Sequence, residues 1–276
     1  MSVINTNVKS MVAQNAMTVN NRTLSKAMEQ LSTGKRINSA ADDAAGLAIA
    51  SRMTSQIKAL DQSVRNANDG ISMMQTAEGA TKEITNMLQR MRELSVQAAN
   101  DSYSATDRTA SAAEVTQLTS EVTRIAANTQ WNGMSILSGG AAYATMTFQV
   151  GTEGDASSAV TVGFSAMSAG ALGVGTTLSY ATSVLSQASI ELLDTAITTV
   201  DTFRSGLGAR INRLTSAADN LANVALNTSA SRSQIEDTDY AKATTELAKS
   251  QIIQQAASAM LAQANQAPQS VLSLLR

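Results

Sequence analysis

Residues 44–99 read AAGLAIASRMTSQIKALDQSVRNANDGISMMQTAEGATKEITNMLQRMRELSVQAA, and their hydrophobic spacing decides the fold. Apolar side chains recur in alternating steps of four and three residues, as in a helix that packs along partner helices. The predicted seam holds Met53, Ile57, Leu60, Val64, Ala67, Ile71, Met74, Ala77, Ala80, Ile84, Met87, Met91, Leu94 and Ala98. Two consecutive steps of three occur after Met74, so the seam is locally overwound there. As a single α-helix the stretch would be about 84 Å long.

Two further segments have the same spacing and extend the helical prediction. A short seam covers 115–125 and a long one covers 190–221, which we expect to pack against the 44–99 helix. Between them, residues 144–165 change to a period of two, which predicts a β-hairpin. The turn-rich stretch 128–140 and the Gly/Ala/Ser/Thr-rich stretch 166–180 are predicted as connections, the latter on the surface.

The two ends of the chain are helical by pattern but carry more apolar surface than one helix pair can bury. Residues 3–31 and 240–264 would be marginal as isolated helices in water, and the second is apolar on more than one face. The polar segments 37–47 and 231–240 separate them from the long helices and suit hinges. The predicted fold is therefore mainly α, with long antiparallel coiled-coil helices, a small β-hairpin, and N- and C-termini paired in an inner helical layer.

Unburied apolar surface at paired termini indicates self-assembly, because several copies can bury one another. The residues predicted to pack between subunits are Ile57, Leu60, Val64, Ile71, Leu247, Ile252, Ile253 and Leu261.

The composition excludes several kinds of chemistry. The chain of 276 residues has no Cys and no His, one Pro and 3% aromatic residues. Zinc sites built on Cys or His, histidine triads, Cys nucleophiles and disulfides are therefore excluded. The formal charge of −2 predicts no bulk attraction to nucleic acid or to anionic membranes. The sequence contains no run of 18 apolar residues, so we predict no membrane insertion.

Two short motifs superficially resemble binding sites, but neither fits the pattern that such a site requires. STGKR at 32–36 has Glu29 and Arg36 where a phosphate loop needs Gly and Ser or Thr. Adjacent Asp42 and Asp43 diverge on a helix, which favours charges at a hinge or a helix N-terminus over a cation site. We therefore predict no catalytic, cofactor-binding or metal-ligating residue, and no enzyme.

Several long motifs resemble bacterial flagellin. They are LSTGKRINSAADDAAGLAIASRM (31–53), NANDGISMMQTAEGA (66–80), LQRMRELSVQAAN (88–100), TQWNGMSIL (129–137) and IEDTDYAKATTELAKSQIIQQAASAMLAQANQAPQSVLSLLR (235–276). The resemblance covers about residues 1–140 and 185–276. Large variable outer domains of many flagellins would lie between these regions, where this chain has only the hairpin and linker of 141–184. It resembles a minimal flagellin.

The resemblance implies a structural subunit that polymerises into the flagellar filament, the propeller of swimming bacteria. It implies an inner layer of residues 1–43 and 236–276 and an outer helical bundle of 44–235. It also implies a secreted, extracellular protein that is exported unfolded through the flagellar type III apparatus. Its partners would be its own copies, a secretion chaperone that grips the C-terminal segment, and the filament cap and junction proteins. The alternatives are a hook–filament junction protein or another coiled-coil surface or binding protein.

Two groups of residues match positions that the family presents to host receptors. Gln89, Arg90, Leu94 and Glu114 match the motif for the surface Toll-like receptor; in the alternative interpretation, Arg90 and Glu114 form a solvated or inter-subunit pair and Leu94 is packing. The C-terminal Val271, Leu272, Leu274 and Leu275 match leucines that inflammasome receptors recognise. Burial of an apolar helix end in the filament explains them equally well.

Overall fold

The computed structural model describes residues 6–140, 145–175 and 177–273. These residues form five α-helices, two small β-hairpins and a short 3-10 turn at Ala156–Ser158. The helices are α1 (Val8–Thr33), α2 (Ala44–Ala98), α3 (Ala105–Asn128), α4 (Ser183–Glu236) and α5 (Tyr240–Ser273). The strands are β1 (Gln130–Trp131), β2 (Met134–Ser135), β3 (Thr145–Gln149) and β4 (Ala159–Gly163). The predicted mainly-α fold with a small hairpin is confirmed.

The described chain forms two compact units. The terminal unit contains the residues up to 57 and those from 226 onward, and the central unit contains 58–225. Helices α2 and α4 contribute residues to both units. The sequence-based division at 43/44 and 235/236 concerns the layers of a filament, which a single chain does not test, so it stays a prediction.

The central unit has one hydrophobic core built on the predicted seam of α2. Met74, Ala77, Ile84 and Met91 are buried there among side chains of α3 and α4. Arg92 Nε of α2 donates to Asp194 Oδ1 of α4 at 2.5 Å. The unbranched methionines fill the irregular spaces between these helices. The predicted helix over 44–99 is confirmed as α2, because no proline interrupts its apolar pattern.

The hairpin β3/β4 lies against α2 at a glycine. The strands pair antiparallel, with Phe148 opposite Val160. A Cβ added at Gly70 would lie 3.0 Å from the Phe148 ring and 3.1 Å from Leu214 of α4. Gly70 is thus the point where α2 lets both neighbours approach closely, whereas a Cβ at Gly79 would meet no atom within 4 Å.

These two glycines give opposite predictions for the same substitution. We expect Gly79→Ala to raise the free energy of unfolding by about 1 kcal/mol, because alanine favours the helix and nothing is crowded. Gly70→Ala gains the same helix propensity, but the added methyl group overpacks against Phe148. Its free energy of unfolding should therefore be equal to or below that of the wild type. Urea unfolding followed by circular dichroism measures both. Equal stabilisation by the two substitutions would contradict the close approach at Gly70.

A second hairpin was not predicted from the sequence. β1 and β2 pair through Trp131 and Met134 across a turn in which Asn132 and Gly133 have positive φ values of 49° and 77°. Asn-Gly is the strongest short signal for a two-residue hairpin turn, so the information was present within the stretch interpreted as a connection.

Two connection predictions are wrong in detail. The stretch 166–180 is not a surface connection, because Met167, Ala169, Val174 and Tyr180 are buried in the central core. The polar segment 231–240 is mostly helical, since α4 continues to Glu236 and only 237–239 separate it from α5.

Candidate assembly surface

In the terminal unit, α1 and α5 form an antiparallel pair. Asn7 Nδ2 donates to the carbonyl oxygen of Ala264 at 2.8 Å, and Asn20 Nδ2 donates to that of Ser250 at 2.8 Å. Residue numbers therefore rise on one helix as they fall on the other. The predicted pairing of N- and C-terminal helices is confirmed.

The seam between α1 and α5 is made of small residues. The buried positions are Asn20 and Ala27 on α1 and Ala243 and Ser250 on α5, seven residues apart on each helix, and half-buried Ala13 and Ala257 continue the same spacing. Small side chains let two helices approach closely but bury little apolar area. The larger apolar side chains of both helices therefore lie beside or outside this seam.

Many of these large apolar side chains are exposed. They are Val8, Met11, Val12, Val19 and Met28 on α1 and Ile252, Ile253 and Met260 on α5. Val8, Val12, Ile253 and Met260 line one groove of about 870 Å³ between the helices, and Val19 extends this face along α1. We call these five residues the apolar groove. Val12 is 64% exposed and Met260 is also 64% exposed, so the single chain leaves the groove uncovered.

The eight residues predicted to pack between subunits are placed differently from one another. Leu60 is buried within the chain itself, whereas Ile57, Val64, Ile71, Leu247 and Leu261 are half-buried. Ile252 and Ile253 are exposed. The predicted set contains no residue of α1, although the spacing of Val8, Val12 and Val19 marks one helix face and could have identified it.

The receptor-matching residues separate into a surface group and a core residue. Gln89, Arg90 and Glu114 are exposed. The Arg90 guanidinium donates hydrogen bonds to Glu93 Oε2 and to Glu114 Oε1, each at 3.0 Å. These hydrogen bonds raise the pKa of the guanidinium. Leu94 is only 4% exposed and lies in the central core. The C-terminal Leu274 and Leu275 lie outside the described residues, as do the side chains of Val271 and Leu272.

The turn between α1 and α2 is organised by two carboxylates. Asp42 accepts hydrogen bonds from the backbone N–H groups of Asn38 and Ser39 and lies 2.8 Å from Lys26 Nζ of α1. Asp43 accepts from the Gly46 N–H at the start of α2. The interpretation of this pair as hinge and helix N-terminal charges agrees with these bonds.

Asp42 makes this turn sensitive to acid. The Lys26 hydrogen bond, with help from the Ser39 N–H, lowers the pKa of Asp42 to about 2, from an ordinary value of 3.8. A lowered pKa means that the contribution of Asp42 to stability is complete above pH 3.8 and is lost as the pH falls through about 2. We expect an NMR titration of the Asp42 carboxyl carbon to give this low value, and Lys26→Ala to move it toward 3.8. A midpoint unchanged by Lys26→Ala would contradict the assigned cause.

No metal-binding constellation is present in the part of the chain that the structure describes: no three Asp or Glu side chains converge there. The same residues include no helix long and apolar enough to cross a bilayer.

Two family matches together cover most of the chain. The family described as the bacterial flagellin N-terminal helical region matches residues 4–142, and the bacterial flagellin C-terminal helical region matches residues 190–275. Between them, the two regions leave residues 143–189 unmatched, the segment that contains the β3/β4 hairpin and the start of α4.

Individual relatives are similar over their full length. The flagellar filament 33 kDa core protein of Treponema phagedenis is 43% identical over 287 aligned positions, covering 99% of this chain and 100% of that protein. Polar flagellin F of Vibrio parahaemolyticus is 37% identical over 374 positions, with 99% of each chain covered. The Vibrio protein therefore carries inserted residues without a counterpart here. A crystal structure of Bacillus cereus flagellin matches with 33% identity and a TM-score of 0.50, covering 57% of this chain and 88% of that one.

Proposed function

Because the chain belongs to the bacterial flagellin family, we propose that its copies polymerise through the apolar groove of α1 and α5. The family relationship makes the chain a structural subunit of the flagellar filament, the organelle of swimming motility. Its full-length similarity to a Treponema filament core protein, without the insertions of the Vibrio relative, makes it a minimal flagellin. The groove is the proposed means by which this subunit joins its neighbours.

One observation carries this proposal: eight large apolar residues of α1 and α5 stay exposed, while small residues fill the buried positions between the two helices. An uncovered groove of about 870 Å³ would be costly in a protein that worked as a monomer. In a homopolymer, neighbouring copies cover it. The same reasoning supports the layered arrangement, with 1–43 and 236–276 inside and 44–235 outside, since the exposed apolar residues concentrate in α1 and α5.

The remaining parts of the proposal follow from the family. The chain is exported unfolded through the flagellar type III apparatus and works outside the cell, which suits a chain with no cysteine to cross-link prematurely. A secretion chaperone holds the C-terminal segment, and cap and junction proteins meet the growing filament. No catalytic step is part of this function.

Seeded polymerisation tests the proposal directly. Purified protein is added to short filament fragments, and growth is followed by light scattering and negative-stain microscopy. Long tubes that extend from the seeds are the expected result. Persistent monomers or short capped assemblies would contradict the polymer function and favour a junction protein.

We also propose that Gln89, Arg90 and Glu114 form the surface that the host Toll-like receptor for flagellin contacts. The three side chains are exposed, and Arg90 is held by Glu93 and Glu114. Leu94 would support this surface from the core rather than touch a partner. The C-terminal Val271, Leu272, Leu274 and Leu275 are proposed to serve the filament core and recognition by inflammasome receptors.

Arg90→Ala should lower receptor signalling by at least about tenfold, because Arg is enriched among interface hot spots, whose truncation costs about 2 kcal/mol or more. The assay is a reporter cell line treated with monomeric protein. Arg124→Ala is the matched control, since it removes an equally exposed Arg–Glu pair from α3. Full signalling by the folded Arg90→Ala protein would refute the proposed contact.

A further inference from the structure

Two turns of the terminal unit are joined by backbone hydrogen bonds. The Arg36 N–H donates to the carbonyl of Glu236 at 2.6 Å, and the Thr238 N–H donates to the carbonyl of Gly34 at 2.9 Å. Lys35 and Asp237 form an antiparallel bridge between these bonds. We call residues 34–36 and 235–238 the clasp. It joins the end of α1 to the short connection between α4 and α5.

Side chains reinforce the clasp from both turns. Lys35 Nζ lies 2.5 Å from Glu236 Oε1, and the Arg36 guanidinium donates to the carbonyl of Ile235. Gly34 ends α1 with a φ of 72°, and a Cβ added there would lie 3.0 Å from the Tyr240 hydroxyl. The positive φ favours glycine at this position, so the sequence supports the backbone conformation that ends α1 at the clasp.

The seam between α1 and α5 does not by itself define one alignment of the two helices. Its small residues repeat every seven positions, so a shift of seven residues would place Asn20 beside Ala243 or Ala257 instead of Ser250. The acceptor of the Asn20 hydrogen bond is a backbone carbonyl, which every residue provides. Shifted alignments therefore keep both the small-residue packing and the buried hydrogen bond.

We infer that the clasp sets the register in which α1 pairs with α5. This inference deepens the proposed polymer function, because the register decides which α1 and α5 side chains together form the apolar groove. In the observed register the groove joins Val8 and Val12 to Ile253 and Met260. A shift of seven residues would separate these side chains by about two helical turns, so neighbouring subunits would meet a different surface.

The absence of cysteine makes the register measurable by cross-linking. The pair Ser10→Cys and Asn265→Cys reports the observed register, because these side chains are 3.0 Å apart. Ser10→Cys with Ser258→Cys, and Met17→Cys with Asn265→Cys, report shifts of seven residues in the two directions. A short thiol-reactive cross-linker is applied to the full chain in solution and in pelleted polymer. Internally cross-linked monomers are separated from dimers by gel mobility.

Thr238→Pro removes the N–H that bonds Gly34, and Thr238→Ala is its matched control because it keeps that N–H. We expect the observed-register product of the parent and of Thr238→Ala to exceed each shifted product by at least about tenfold. In Thr238→Pro the ratio of the observed-register product to the shifted products should fall at least about fivefold. If Thr238→Pro loses helical content, Arg36→Pro replaces it, because it removes the N–H that bonds the Glu236 carbonyl, and Arg36→Ala is its matched control.

An unchanged register in folded Thr238→Pro, or in folded Arg36→Pro if that is used, would overturn the inference. A parent chain that cross-links in all registers, both in solution and in polymer, would overturn it as well. Failure of the proposed function looks different: the parent forms no polymer on seeds, whereas its soluble chains still report the register.

Discussion

Ile253→Asp combined with Met260→Asp should abolish polymerisation of the purified protein. Both side chains belong to α5 and line the apolar groove, and Met260 is 64% exposed in the single chain. Burying an unpaired carboxylate against a neighbour costs several kcal/mol, and the apolar contribution of about 1.5–3 kcal/mol for each side chain is lost too. Sedimentation after seeding should therefore recover no pelletable protein at concentrations where the parent assembles completely.

Gln255→Asp is the matched control for this effect. Gln255 is exposed on the same helix and does not line the groove, so it tests an added negative charge alone. Its polymer yield should stay within about twofold of the parent, because isolated surface charges have small effects. Thermal unfolding of the central unit should be unchanged in both variants. Normal filaments from Ile253→Asp/Met260→Asp would exclude the groove as an assembly surface.

Leu94→Ala should lower the free energy of unfolding by about 2–5 kcal/mol, the range for truncating a buried leucine. Leu94 is 4% exposed and packs in the core that α2, α3 and α4 share. Urea unfolding measured by circular dichroism gives the difference. The substitution would therefore reduce any receptor response by lowering the folded fraction, not by removing a contact.

Val96→Ala is the control for Leu94→Ala. Val96 lies two residues along the same helix but is 51% exposed, so its truncation should change stability by less than about 0.5 kcal/mol. Similar losses for the two variants would show that Leu94 is not a core residue. Only Arg90→Ala among these substitutions then tests the receptor surface without disturbing the fold.

The sequence predicted most of the helical fold because the pattern of α2 is long, regular and free of proline. Ala44 to Ala98 matches the predicted helix to within one residue at its end. The stretch 166–180 could not be placed in the same way, because Gly, Ala and Ser have no marked periodicity. Its burial depends on distant contacts, such as the Met167 N–H that donates to the carbonyl of Leu137.

The sequence predicted that apolar residues of the terminal helices form the assembly surface, but it identified only some of these residues. Exposed Ile252 and Ile253 were identified by the all-round apolar pattern of α5. Leu60 has the same seam spacing but is buried inside the chain, since periodicity marks a face without saying which neighbour covers it. The α1 face formed by Val8, Val12 and Val19 was omitted, although its spacing marks one side of the helix; whether that side is covered within the chain or by another copy is not decided by the spacing.

The small-residue seam has a consequence for how much protein a growing polymer needs. Ordering the backbone of α1 and α5 costs about 1–2 kcal/mol per residue, and a seam of Ala, Asn and Ser buries little apolar area against that cost, so the pair is only marginally stable in a single chain. Contacts between copies supply most of its further stability, so the critical concentration is set mainly by the groove. Each 1.4 kcal/mol of lost contact energy changes the association constant tenfold. Truncating single groove side chains to alanine should therefore raise the critical concentration in measurable steps.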